Sequence, residues 1–320
     1  METIPAATGH ETRVEGVRLA WGEMGAGPPL VLLHGVWDSH RTWRRAAPLL
    51  ARDFHVFMPD LAGHGWSERP DAPYTLAWHA RLIGAWMESI GLERAHVCGH
   101  SYGGGVALWM VLQERSRLDR LALVAPGGLG RGVSIWMRLG TIPLLGPAFS
   151  PLVIRFGLPR LLRAFPSIFG RIEPDEAARV VQMNRIPGTA RAFRRTLGGV
   201  VGVFGQYQGL TAARAPKVSG LPPIALFWGT KDPVIPLRHG ERLCRRMTGV
   251  TLSTYRECGH YPHLEAAPLF SQDLKSFLCD TSRPCAAFAA ERSAPSSVPS
   301  RSPRPVRIES GLAPLERPVR

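Results

Sequence analysis

At 320 residues the chain can bury a substantial core, and 45% hydrophobic with 20% charged residues is the balance of an ordinary globular protein, not of a disordered or fibrous one. The formal charge of +14 is not ordinary, and it is concentrated: positions 131–217 hold thirteen basic residues against Glu173, Asp175 and Glu176, while 1–130 is close to neutral. Five cysteines, an odd number with no C-x-x-C spacing, argue against a disulfide framework or a zinc site and suit a reducing compartment.

Residues 12–21 alternate around Gly16 and predict an antiparallel hairpin. The run 29–33 is continuously apolar, suits a central strand, and ends at His34-Gly35-Val36-Trp37. A helix is expected over 42–51, with Trp43, Ala46, Ala47 and Leu50 on one face. The strand 54–58 then leads into a glycine-punctuated loop, Asp60-Leu61-Ala62-Gly63-His64-Gly65-Trp66-Ser67. Helical spacing runs through 75–90 and stops at Gly91. Residues 95–98 predict a buried strand and 106–112 a buried helix, with Gly99-His100-Ser101-Tyr102-Gly103 between them. A further strand, 118–125, ends at Pro126-Gly127-Gly128.

At Leu129 the alternation breaks. Residues 129–219 read as helical fragments interrupted by proline and glycine, too long for a structureless loop in a compact domain, and so predict an inserted helical cap. Alternation resumes with a strand over 224–228, a loop to Asp232, a helix over 237–247, a strand over 251–256, a loop through Cys258-Gly259-His260, and a helix over 264–278. Strand and helix in alternation predict an α/β fold: a mostly parallel central sheet with helices on both faces, built from 1–128 and 220–279. Beyond Cys279 serine, proline, arginine and alanine dominate, so 280–320 is expected to be a disordered basic tail. Residues 1–15 lack an apolar run, and no stretch reaches the roughly 18–20 apolar residues of a spanning helix, which points to the cytoplasm. The arginines of 131–217 alternate with apolar and proline-rich sequence and belong to no recognisable nucleic-acid module. They are read as a solvated face with weak contact to an anionic membrane surface, and no nucleic-acid partner is expected.

Gly99-His100-Ser101-Tyr102-Gly103 has the G-x-S-x-G form in which a strand turns sharply into a helix with a serine at the apex. A side chain at either glycine would clash where strand and helix converge, and the helix N-terminus favours negative charge beside the serine. Asp232 and His260 each follow a predicted strand, so in a parallel sheet all three reach one edge, in the chain order Ser, Asp, His. Serine is a poor nucleophile unaided; His260 would take its proton and Asp232 would hold the imidazole tautomer. The backbone N–H groups of Val36 and Tyr102 are placed to bind an oxyanion. Trp37, His100 and Tyr261, flanking these motifs, are expected to contact substrate. His263, His100, His64 and His239 are weaker candidates for the base, since His263 opens the last helix, His100 precedes the serine on the wrong side of the turn and His239 lies inside a helix.

These motifs, namely His34-Gly35, Asp60-x-x-Gly63-x-Gly65-x-Ser67, Gly99-x-Ser101-x-Gly103-Gly104, Gly229-x-x-Asp232 and Gly259-His260, resemble the α/β-hydrolase superfamily over roughly residues 10–279, in particular its lidded esterase and C–C hydrolase branch. The resemblance implies a hydrolase without cofactor or metal, acting on a small-molecule substrate under a helical cap. Dehalogenases and epoxide hydrolases of this architecture carry aspartate at the position of Ser101. C–C hydrolases usually have Asn before the serine and Trp after the histidine, where this chain has His100 and Tyr261. The expectation is therefore a serine esterase acting on an ester, thioester or lactone, with C–C hydrolysis, acyl transfer and plain ligand binding as alternatives. One or more of the cap residues Arg155, Arg160, Arg163, Arg191, Arg194 and Arg195 are expected to face the pocket or a bilayer and to favour anionic or amphiphilic substrates.

Overall fold

The continuous apolar runs become strands because both of their faces are covered. The computed structural model describes residues 8–141, 174–207, 221–280 and 291–293. Strands β1 (Thr8–Val14) and β2 (Val17–Met24) form an antiparallel hairpin. Its two turn residues, Glu15 (φ 46°) and Gly16 (φ 80°), are both left-handed, the twist that matches a two-residue hairpin. There follow β3 (Pro29–Leu33), a 3-10 turn (His40–Trp43), α1 (Ala47–Leu50), β4 (His55–Pro59), α2 (Leu76–Ser89), β5 (Ala95–His100), α3 (Ser101–Gln113) and β6 (Leu118–Val124). Thr75 caps α2, its hydroxyl accepting from the Trp78 N–H at 3.1 Å. Between β6 and the next sheet strand the described residues form α4 (Ile135–Leu139), α5 (Pro174–Asn184), α6 (Thr189–Gly198) and a small hairpin, β7 (Val201–Gly202) and β8 (Gly205–Gln206). The chain closes with β9 (Ile224–Gly229), α7 (Arg238–Arg246), β10 (Val250–Arg256), α8 (Pro262–Glu265), α9 (Ala267–Cys279) and β11 (Glu291–Ser293).

The sheet order is β1-β2-β4-β3-β5-β6-β9-β10, extended at its edge by β11. The two β2 pairings are antiparallel and every pairing from β4 onward is parallel. Side chains alternate between two cores. Val31 and Leu33, Leu121 and Leu123, Ile224 and Leu226 face one core with α2 and α3; Leu30 and Leu32, Ala122 and Val124, Ala225 and Phe227 face the other with α1 and α9. Burial on both faces is what makes β3, β9 and the second half of β6 apolar without interruption.

Both misread helices were broken by proline. The helix expected over 42–51 is a 3-10 turn and a separate single turn, because Pro48 cannot donate back to Arg44 and its ring crowds that carbonyl. The helix expected over 264–278 breaks at Ala266 (φ −127°), two residues before Pro268, leaving α8 and α9. The helix expected over 106–112 begins earlier, at Ser101 itself. Of the tail read as disordered, Glu291–Ser293 instead pairs in parallel with β10; the rest of it lies outside the described residues. The cap reading of 129–219 falls partly outside them too, including Arg155, Arg160 and Arg163. Among the described residues no helix is long and apolar enough to cross a membrane.

Candidate active site

The strand registers bring the candidate residues to one edge. Leu33 pairs with Gly99, His100 with Val124, Val124 with Phe227 and Trp228 with Thr254, so the carboxyl ends of β3, β5, β6, β9 and β10 are level. The loops carrying Val36, Ser101, Asp232 and His260 all leave from that edge. Ser101 opens α3 with φ 52°, a left-handed conformation costing on the order of 1 kcal/mol or more for a residue with a Cβ. The turn is possible only because its flanks are bare: a Cβ on Gly99 would lie 2.8 Å from Gly104 Cα, and one on Gly103 would lie 2.6 Å from the Leu33 carbonyl oxygen. The β3 exit thereby lies against the start of α3, bringing Val36 and Ser101 onto the wall of one cavity.

His260 Nδ1 donates to Asp232 Oδ2 at 2.8 Å, with both side chains buried. The other carboxylate oxygen, Oδ1, accepts from the N–H groups of Val234 (2.7 Å) and Ile235 (3.0 Å), so Asp232 cannot swing away from the imidazole. Gly229 lets the two loops meet: a Cβ there would sit 2.7 Å from the Cys258 carbonyl carbon. Behind the base, His100 Nε2 donates to the His260 carbonyl at 2.9 Å and the two rings lie 4.7 Å apart, tying the His260 loop to the residue before Ser101. Sequence reasoning missed Glu265. Its carboxylate accepts from Gly259 N–H (2.9 Å) and Tyr261 N–H (3.2 Å), bracketing His260 from both sides. A glutamate reaching back to the N–H that opens its own helix does half the work of a capping box. The opening residue is Tyr261 rather than serine or threonine, however, and Glu265 stands four positions on rather than three, so the sequence carried no such signal.

Two further loops are pinned by buried polar groups. His34 Nδ1 donates to the Gly35 carbonyl (2.7 Å) and Nε2 accepts from Leu61 N–H (2.9 Å), which makes it a neutral imidazole; burial lowers its pKa despite nearby Asp60. Asp60 accepts from His40 N–H (2.6 Å), His40 Nδ1 (2.9 Å) and Trp66 N–H (2.7 Å). Burial would raise the Asp60 pKa, yet His40 and the other donors hold it below the ordinary value; burial would lower that of His40, yet Asp60 holds it above.

A cavity of about 580 Å³ opens beside Ser101. Val36, Trp109, Met137, Val200, Val201 and Ile235 supply much of its wall, and among the described residues no charged side chain and no histidine lines it. Tyr102 lines it as well and is the second residue of α3, so its N–H has no acceptor within the helix. The three residues expected to contact substrate stand elsewhere. Trp37 (φ 65°) stacks on Phe193 at 4.2 Å; His100 is fully buried behind His260; Tyr261 is buried between the rings of His100 and His263. They are neighbours of the site rather than walls of this cavity: the β5 and β10 exits turn His100 and Tyr261 into the core, and half-buried Trp37, after β3, packs on Phe193 instead. Arg191, Arg194 and Arg195 are exposed on α6, with Arg195 paired to Asp71, and none points into the cavity. Among the described residues no cluster of side chains could hold a metal ion.

Residues 30–272 match the model of the alpha/beta hydrolase family. An uncharacterized protein of Mycobacterium tuberculosis is 33% identical over 283 residues, covering 85% of this chain and 81% of its own. The 2-hydroxymuconate semialdehyde hydrolase of a Pseudomonas strain is 29% identical over 281 residues, covering 85% and 94%. Among solved structures, a meta-cleavage product hydrolase from Pseudomonas fluorescens superposes with a TM-score of 0.69 at 23% identity, covering 84% of this chain and 97% of that one.

Proposed function

This chain belongs to the alpha/beta hydrolase family, and from that premise we propose that it is a serine hydrolase cleaving an ester, or a thioester or lactone, with an uncharged apolar acyl or aryl group. The observation that carries this reading is the pairing of His260 with an Asp232 that is locked by two further N–H donors, on the same sheet edge as a strained Ser101 beside an uncharged cavity. Ser101 Oγ attacks the acyl carbonyl while His260 Nε2 takes its proton, and Asp232 stabilises the imidazolium through Nδ1–H. The N–H groups of Val36 and Tyr102 bind the oxyanion; losing one such donor typically costs about 2.7–4 kcal/mol of barrier. Collapse passes the proton to the leaving group and leaves an acyl-enzyme on Ser101, which water, activated by His260, then hydrolyses. Of the expected cap, the described Met137, Leu197, Val200, Val201 and Tyr207 line the cavity and select the acyl group.

The cavity volume lies within the roughly 300–1,000 Å³ of small-molecule sites. Its uncharged wall favours a neutral acyl group over the carboxylated substrates foreseen for inward arginines, since burying an unpaired carboxylate there would be costly. C–C hydrolysis remains the second reading, favoured by the 2-hydroxymuconate semialdehyde hydrolase relative. A panel of p-nitrophenyl esters of graded chain length, assayed beside a vinylogous 1,5-diketo acid, separates the two. Ester turnover with an initial burst, abolished in Ser101→Ala, supports the esterase; turnover of the diketo acid alone would replace it by C–C cleavage. No burst and no turnover of either would point to a binding protein.

A further inference from the structure

Six large apolar side chains are exposed among the described residues, and all of them lie on α4 and the β7–β8 hairpin with its following residue: Ile135, Trp136, Leu139, Val203, Phe204 and Tyr207. Phe204 is 88% and Trp136 67% exposed. The hairpin turn itself is Val203-Phe204, where glycine, asparagine or aspartate is the usual choice, so neither turn chemistry nor core packing accounts for its composition. The patch is not a frayed end. Arg138 Nε donates to the Val203 carbonyl (2.8 Å), joining α4 to the turn, and Gln206 is anchored through its N–H to the Arg131 carbonyl (2.9 Å) and its amide to the Gly132 carbonyl (2.8 Å). Met137, Val201 and Tyr207 also line the cavity, so patch and cavity mouth are continuous.

The segments that carry the patch and lead into it hold charge of one sign, and among the described residues Arg195 alone of their arginines is paired to a carboxylate, that of Asp71. Segments 129–141 and 189–207 contain Arg131, Arg138, Arg191, Arg194 and Arg195 and no aspartate or glutamate, and Arg131 and Arg194 are exposed. We infer that α4 and the β7–β8 hairpin form a docking surface for an anionic lipid bilayer, with Trp136 and Phe204 entering the headgroup region and the arginines meeting its phosphates. Aromatic side chains flanked by arginine suit that interface, where the ring is partly buried and the cation stays at the charged surface. A two-fold pairing of this face with a second copy would instead bring the arginines of both copies into an interface whose own segments supply no carboxylate to pair them. The docked face places the cavity mouth against the membrane, so an amphiphile can pass from bilayer to site. Docking itself needs no particular nucleophile.

Flotation of the full chain with vesicles of phosphatidylcholine, alone or mixed with phosphatidylglycerol, tests this. The protein should float preferentially with the anionic vesicles, less so as salt rises. Trp136→Ser/Phe204→Ser should lower that partitioning about tenfold or more. Because both side chains are exposed, the variant should melt as the wild type does and keep its turnover of a soluble short ester. Ser101→Ala should float like the wild type, so a failure of the serine chemistry leaves the docking result intact. Absence of vesicle binding, binding indifferent to lipid charge, or binding that the double variant retains would each overturn the inference. So would sedimentation showing a dimer that the double variant dissolves, with no vesicle binding.

Discussion

Glu265 carries no part of the proposed proton transfer, yet its two N–H acceptances fix the backbone on either side of His260. Glu265→Ala should lower kcat about tenfold to a hundredfold with KM little changed, the cost of a base displaced by a fraction of an ångström. An equal rise in KM, with kcat intact, would mean that Glu265 only stabilises the loop. Gly103 offers a contrast in which space alone decides. A methyl group there meets the His34 and Leu33 carbonyls, which are backbone and cannot yield, so Gly103→Ala should destabilise by about 3 kcal/mol or more, read as a fall in the urea midpoint. At this scale the sequence was informative where chemistry demands a spacing. The glycines around Ser101 advertised a tight strand-to-helix turn, and the turn is there. It was uninformative about which way a side chain points: His100 and Tyr261 adjoin the motifs, but the strand exits send them into the core.

Elements were legible through period and less so through their ends. Continuous apolar runs identified β3, β9 and the second half of β6, Leu121–Val124, since parallel strands buried on both faces have no polar side to interrupt them there; Asp119 and Arg120 fall where β6 is only half-buried. Apolar spacing also suggested helices over 42–51 and 264–278, and there Pro48 and Pro268 overrode it by removing a donor that the periodicity does not register. The β7–β8 hairpin was missed because its strands, two residues each, are too short to show alternation. What holds it is Gln206, a buried amide that accepts from Gly128 N–H at 2.7 Å and donates to the Gly132 carbonyl at 2.8 Å, tying the hairpin to the loop after β6. Gln206→Leu should therefore cost about 2 kcal/mol in chemical unfolding and raise KM for the longer esters, since the wall it braces loses its anchor. Unchanged stability would show that the hairpin is held by its backbone bonds alone.

Across the whole molecule the sheet's strand order was not readable, because alternation of strands and helices states the class of fold but not where each crossover lands. Nor was the burial of its histidines. His34, His64, His100 and His263 are held neutral by burial, below the ordinary value, and burial lowers His79 and His239 to about 4. Their stabilisation is complete above the unfolded value of about 6.5 and is lost as pH falls, because the unfolded chain binds protons the folded chain refuses. His40, raised by Asp60 against its burial, works in the opposite direction, stabilising at low pH and losing that contribution as pH rises through its folded value. The lowered group is the larger one, so Tm should fall on the order of 10 °C between pH about 7 and about 5. A Tm that stays flat over that interval would mean that the buried rings accept protons in place.

The account turns on Ser101 acting as a nucleophile driven by His260, and covalent capture reads that act directly. The intact protein, treated with a fluorophosphonate and analysed by peptide mass spectrometry, should carry one adduct on the peptide containing Ser101, formed far more slowly in His260→Ala and absent from Ser101→Ala. An adduct on another residue, or none while the protein remains folded, would contradict it.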